Sequence, residues 1–202
     1  MLLAPTRLEW LALRRCLAAN GPAPGIEVIR CGVGMRRYQP PSGTRSALIT
    51  CGLAGGLRPE LIPGTVVVAS SVAMEDGEPV GCDPAWVGTL TAGVRSLGIE
   101  PVVGPMVTVR RLAVGPERVV WAARGFAAAD METALIAPTG APLGSLRVIL
   151  DAPSREVSAG WSSPRRAGVD PRRWSEMAWL ARRAPAYALL AGRCLAAGLA
   201  VR

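Results

Sequence analysis

Three carboxylates stand at or just past the ends of apolar runs that read as β-strands: Glu9 beyond residues 2–4, Glu132 beyond 126–129, and Asp151 closing 146–150. In α/β proteins ligands bind beyond the carboxyl ends of strands, so acids far apart in sequence can converge there. Converging carboxylates suit acid–base cleavage of a glycosidic-type bond, one protonating the leaving group while another activates water. The same positions also suit helix caps, and the residue types alone leave both readings open. The chain has no histidine, which excludes a Ser-His-Asp triad, an H-E-x-x-H zinc site and an imidazole base by counting. Carboxylates, cysteines or arginines must do the chemistry.

The elements that would position these acids alternate. A short strand over 2–4 precedes a helix from Thr6 to Ala19, with Thr6 as N-cap and Leu8, Leu11, Leu13 and Leu17 as its apolar positions. Asn20, Gly21 and Pro22 end it. A second strand over 26–31 leads to the turn Gly32-Val33-Gly34-Met35, and 47–51 forms a buried strand. The block Gly52-Leu53-Ala54-Gly55-Gly56-Leu57 follows directly, and its glycines let backbone approach a ligand closely. The β-branched run 65–69 predicts a strand covered on both faces. Helices over 84–97 and 115–123, strands over 105–110 and 126–129, a helix over 133–137 and a strand over 146–150 complete the pattern. Strands alternating with helices predict an α/β fold, a single-domain three-layer α/β/α arrangement around a central mixed, mostly parallel sheet.

With 202 residues, 50% of them hydrophobic, the chain is sized for one domain over 1–202 with a substantial core. Few aromatics against 23 Gly and 18 Pro exclude a coiled coil, a disordered chain and a disulfide scaffold. The five cysteines are widely spaced without a C-x-x-C, which argues against a zinc site or redox pair and for buried thiols in a reducing compartment. No basic and apolar leader and no uninterrupted apolar stretch of about 18 residues is present, so the expectation is a cytoplasmic protein without a spanning helix.

The net charge of +8 is carried by arginine alone, and it is uneven: residues 155–202 hold nine Arg against Glu156, Asp170 and Glu176. In this segment the pairs Arg165-Arg166, Arg172-Arg173 and Arg182-Arg183 alternate with Trp161, Trp174, Trp179 and Tyr187. Such a basic, tryptophan-bearing helical tail either packs its apolar face on the sheet or rests on an anionic membrane surface. No nucleic-acid-binding motif accompanies the charge.

Taken in order, Leu3-Ala4-Pro5-Thr6-Arg7-Leu8-Glu9, Gly32-Val33-Gly34-Met35, Gly52-Leu53-Ala54-Gly55-Gly56-Leu57, Asp130-Met131-Glu132-Thr133-Ala134 and Leu146-Arg147-Val148-Ile149-Leu150-Asp151 resemble the nucleoside phosphorylase/nucleosidase superfamily. Within it the match is to the methylthioadenosine/S-adenosylhomocysteine nucleosidase branch, closest to the hopanoid-associated members that remove adenine from adenosylhopane. The likeness spans about residues 1–155 and implies a nucleosidase without cofactor or metal, commonly a dimer. It implies that Asp151 delivers a proton toward purine N7, that Glu9 orients the attacking water, and that Glu132 accepts hydrogen bonds from ribose hydroxyls with Met131 packed against the sugar. Gly52, Leu53, Ala54 and Gly55 would line the pocket with backbone, and Leu112 would stand where relatives place an aromatic on the base. Two departures stand out: Leu150 replaces a serine that positions the acid in relatives, and Ile49-Thr50-Cys51 lacks the phosphate-binding arginine of the phosphorylases. Arg36 and Arg37 remain as possible anion ligands, so phosphorolysis stays open beside hydrolysis, as does a nucleoside-binding protein without turnover.

Overall fold

The computed structural model describes residues 1–19, 25–158 and 174–201. Its strands are β1 (Leu2–Ala4), β2 (Val28–Arg30), β3 (Leu48–Gly56), β4 (Val66–Met74), β5 (Val80–Gly81), β6 (Val102–Thr108), β7 (Ala128–Asp130) and β8 (Leu143–Asp151). Its helices are α1 (Arg7–Ala19), α2 (Pro84–Ser96), α3 (Pro116–Ala123) and α4 (Trp174–Val201). The strands run in the order β2-β1-β3-β7-β6-β4-β5, and β8 pairs with both β3 and β4, so that β3, β7, β6, β4 and β8 close into a ring. Among the described residues five pairings are parallel and three antiparallel. This is the mixed, mostly parallel α/β sheet that the alternation of elements predicts.

The two faces of the sheet are covered unequally. Helices α1, α2 and α4 bury one face around Leu13, Ile49, Val68, Leu90, Val148 and Leu195. On the other, Leu3, Met35, Val67, Met106 and Ile149 pack under the 3-10 turn Thr133–Thr139 through Ala134 and Ile136. Pro138 lies inside that turn, where its missing N–H stops the helix expected over 133–137 from winding as α. Strand β3 is longer than expected, running through the glycine block to Gly56. A parallel ladder with β8 carries it to Gly55, and β7 takes over at Gly55 and Gly56. Strand β5, a two-residue antiparallel partner of β4, has no counterpart in the sequence reading.

The basic tail forms α4, whose Ala188, Ala191, Cys194, Leu195 and Gly198 are buried. A Cβ on Gly93 of α2 would stand 2.2 Å from the Gly198 nitrogen, so these two helices meet backbone to backbone. The first turns of α4 are different: Trp174 and Met177 are exposed, and the Arg155 guanidinium lies 5.0 Å over the Trp179 ring. By length and composition α4 is apolar enough to cross a membrane. Arg182, Arg183 and Arg193 interrupt its apolar run, and its C-terminal half packs in the core. The break at Asn20, Gly21 and Pro22, and Trp161, Arg165, Arg166, Arg172 and Arg173, lie outside the described residues. All five cysteines are buried thiols, and none forms a disulfide.

Candidate active site

Glu9 is buried at the third position of α1 and divides its two oxygens between two tasks. Oε2 accepts from the Thr6 N–H at 2.8 Å and the Thr6 hydroxyl at 2.5 Å, while Thr6 Oγ1 accepts from the Glu9 N–H at 3.2 Å. This is a capping box, which closes two orphan amides of the first turn. Oε1 accepts from the Leu53 N–H of β3 at 2.7 Å. Glu9 is therefore part of the helix cap, and its second oxygen also ties α1 to β3.

Opposite Gly52 on β8 stands Arg147, fully buried. Its Nη2 donates to Asp130 Oδ2 at 2.5 Å and Thr133 Oγ1 at 3.1 Å, and lies 3.5 Å from Glu132 Oε2. Its Nε and Nη1 have no hydrogen-bond partner among the described residues. Burial works against the charge, but Asp130, Glu132 and Glu9 outweigh it and hold the guanidinium protonated. A Cβ on Gly52 would lie 2.2 Å from Glu9 Oε1 and 3.1 Å from Arg147 Nη1. Glycine is needed there because those two side chains occupy the space.

Glu132 follows β7 and accepts from the Gly34 N–H at 3.0 Å, an amide presented by a turn in which Gly34 has φ 63°. Burial pushes its pKa up to about 7, with Arg147 opposing and Asp130 and Glu9 adding to the rise. The Asp130 carboxylate shapes the turn that carries Glu132. It accepts from the Thr108 hydroxyl at 2.6 Å, from the Glu132 and Thr133 amides, and from the Thr133 hydroxyl. Thr50, Thr133 and Ser145 add a buried hydroxyl chain beside it.

Asp151, at the end of β8 opposite Gly55, lines a recess that Asp130 borders from β7. Its Oδ2 accepts from Arg118 Nη2 and from the Val157 N–H at 3.1 Å. Burial raises its pKa, and the Arg118 charge and the Val157 amide restrain the rise. Gly55, Leu112, Met131, Arg118 and Asp151 line this open recess, about 290 Å³ counted to its mouth.

The structure thus divides the predicted residues between two points on β3. Asp151, Met131, Leu112 and Gly55 meet near its C-terminal end; Glu9, Glu132, Gly52 and the Leu53 amide gather at its middle. Ala54 buries its methyl group in the apolar core and contributes no side chain to the site. Arg147 and Arg118 had no assigned role in the sequence reading. A lone arginine inside the apolar run of β8 was a signal for Arg147, since a charge in a doubly covered strand must be paired. Arg118, followed by the exposed Val119 and Val120, offered none.

The profile of the Phosphorylase superfamily matches residues 42–164. No curated protein matches the sequence. Among solved structures, the 5′-methylthioadenosine/S-adenosylhomocysteine nucleosidase of Helicobacter pylori superimposes with a TM-score of 0.70 at 15% identity, covering 100% of this chain and 97% of that one. The futalosine hydrolase of the same organism gives 0.71 at 15% identity with the same coverage. The nucleosidase of Colwellia psychrerythraea, in complex with adenine, gives 0.69 at 17% identity, covering 98% and 93%. At these identities the likeness establishes the fold.

Proposed function

Since the chain belongs to the Phosphorylase superfamily, we propose that it hydrolyses the N-glycosidic bond of an adenosyl compound and releases adenine. The observation that carries this reading is the pair of polar groups along the C-terminal half of β3. Asp151 stands beside Gly55, while Glu9 and the unpartnered Nη1 of Arg147 stand beside Gly52. Gly52 and Gly55 are three positions apart, about 10 Å along the strand, room for a ribose and a water between a general acid and a general base.

In this mechanism Asp151 donates its proton to purine N7 as the C1′–N9 bond breaks and its electron pair leaves with the base. Burial favours the protonated acid that this step needs. Water held between Glu9 Oε1 and Arg147 Nη1 attacks C1′ and passes a proton to Glu9. The Glu132 carboxylate accepts hydrogen bonds from the ribose hydroxyls, Met131 packs against the sugar, and Leu112 covers the base. Water is favoured over phosphate as nucleophile because Glu9, Glu132 and Asp130 crowd the Arg147 end, and a phosphate dianion there would face all three carboxylates.

The finer reading is conversion of adenosylhopane to ribosylhopane by a cytoplasmic dimer that touches the inner face of the membrane. The exposed Trp174 and Met177 beside Arg182 and Arg183 support the last point. The test is adenine release from a panel of 5′-substituted adenosines, including an adenosyl hopanoid in detergent, with and without phosphate. Release independent of phosphate and fastest with the lipid is expected; phosphate-dependent release would make the protein a phosphorylase. Asp151→Asn is expected to bind substrate and not turn it over, and wild-type turnover in that variant would refute the assignment of the acid. No release from any substrate would leave a nucleoside-binding protein.

A further inference from the structure

The acid proposed above sits in an environment that neither its strand nor the neighbouring residue explains. Leu150 precedes it and has no hydroxyl to hold the carboxylate. The guanidinium of Arg118, 2% exposed, reaches it instead from α3. Nη1 of Arg118 is fixed on the Gly56 carbonyl at 2.5 Å, which ties the guanidinium to β3. Its Nε lies 3.0 Å from Glu156 Oε1, and Glu156 in turn accepts from the Gly115 N–H at 2.9 Å. The chain Asp151–Arg118–Glu156 therefore spans β8, α3 and the segment after β8.

This arrangement has two chemical effects. Arg118 and the Val157 amide both bind Oδ2, and no donor among the described residues reaches Oδ1, whose position lies 3.2 Å from where a Gly55 Cβ would stand. The oxygen that faces the recess is left to carry the proton. A carboxyl held by an arginine alone would stay ionised and could protonate nothing. With Glu156 on the far side of the guanidinium, the three groups carry one net negative charge, and a proton on Oδ1 brings them to neutrality.

We propose that Arg118 and Glu156 are positioning residues for the acid: Arg118 fixes one oxygen of Asp151 so that the other faces the purine, and Glu156 offsets the guanidinium charge so that this oxygen can be protonated. The assignment rests on Asp151 being the acid. Other charged groups near it are already engaged. Asp130, on β7 across the recess, is held by Thr108, Thr133 and Arg147. Arg147, further back on β8, is held by Asp130 and Glu132. The facing β3 residues Gly55 and Gly56 carry no charge.

The experiment is a pair of pH titrations on the full chain: kcat against pH, and the Asp151 carboxyl band by infrared difference spectroscopy, assigned with Asp151→Asn. Activity needs the protonated acid, so kcat falls as pH rises through its pKa. Glu156→Gln keeps an acceptor for the Gly115 amide and removes the charge. It is expected to move both the carboxyl titration and the falling limb of kcat acidward by about half to one pH unit, with KM little changed and Glu156→Asp restoring the position. Arg118→Lys keeps the charge without the fork; it is expected to lower kcat at least tenfold with a much smaller movement of the limb. A Glu156→Gln carboxyl titration that coincides with wild type overturns the proposal. A displaced carboxyl titration supports it even where no substrate turns over, whereas an active Asp151→Asn overturns the underlying assignment of the acid.

Discussion

Replacing Arg147 by methionine removes a buried cation and leaves its carboxylates behind. The side chains of Arg147 and Asp130 are both 0% exposed and 2.5 Å apart, and Glu132, 4% exposed, lies 3.5 Å away. Breaking one partner of a buried pair costs about 3–5 kcal/mol, because the other charge stays buried without compensation. At about 2–4 °C per kcal/mol for a chain of this size, the melting temperature should fall by about 6–20 °C. The cost must depend on pH, and its sign follows from the carboxylates. Without Arg147 the folded-state pKa of Glu132 rises further above its unfolded value, so the added penalty is absent at low pH and grows as pH climbs towards that raised pKa. Between pH 5.5 and 8 one carboxylate held protonated in the folded variant would cost about 1.4 kcal/mol per unit, or about 3.4 kcal/mol in all. Wild type itself loses about 2 kcal/mol of this between pH 5.5 and 7, where folded Glu132 keeps a proton that the unfolded chain has released, so the variant should be worse at pH 8 than at pH 5.5 by about 1.4 kcal/mol relative to wild type. Urea unfolding of both proteins at the two pH values measures this. A destabilisation below about 1 kcal/mol, or one equal at both pH values, would refute the account of Arg147 as the charge that permits the acidic cluster.

Gly52→Ala should act on the site more than on the fold, since the atom its Cβ meets at 2.2 Å is the end of the Glu9 side chain; kcat should drop about 100-fold, as for loss of one positioned group, with a melting shift under about 4 °C. Gly93→Ala meets backbone instead, at the Gly198 nitrogen, and should destabilise by about 1–3 kcal/mol while specific activity of the folded fraction is kept. Ribose binding by Glu132 needs its ionised form, so KM should rise as pH falls through about 7, and the pH dependence of KM should vanish in Glu132→Gln; an unchanged slope in that variant would remove Glu132 from the sugar.

The elements most legible in the sequence were those whose signal is local. The Thr6 cap, with Glu9 three residues on, marked the start of α1, and apolar runs ending in acids marked Glu132 and Asp151 as strand-end groups. What escaped depends on contacts between segments far apart in sequence. Glycines 52, 55 and 56 disfavour a strand by their own propensity, yet β3 continues through them because the β8 and β7 ladders hold it, while Glu9 and Arg147 at Gly52, Asp151 at Gly55 and Leu61 with Ile149 at Gly56 leave little room for a side chain. Arg118 carries no sign of its role because its neighbours Val119 and Val120 point to water while it alone turns inward, and its partners lie on β3 and after β8. The long strands β4 and β6 were found in part: β4 runs on past Ala69 through a register shift before Val72, where its pairing with β6 resumes at Met106.

A ring of strands also fixes the order in which the molecule can come into being. Leu48 of β3 pairs with Leu143 of β8, and Val66 of β4 pairs with Val148 of the same strand, so both early strands wait for a partner synthesised nearly half a chain later. Closing such long loops sacrifices chain entropy before any contact rewards it, which slows folding and leaves strand edges open on the nascent chain. Asp151 ends the strand that closes the ring. The proposed proton donor is thus made after Glu9 and Glu132, and a ribosome-bound chain halted before β8 would carry the Thr6–Glu9 cap without the carboxylate of Asp151.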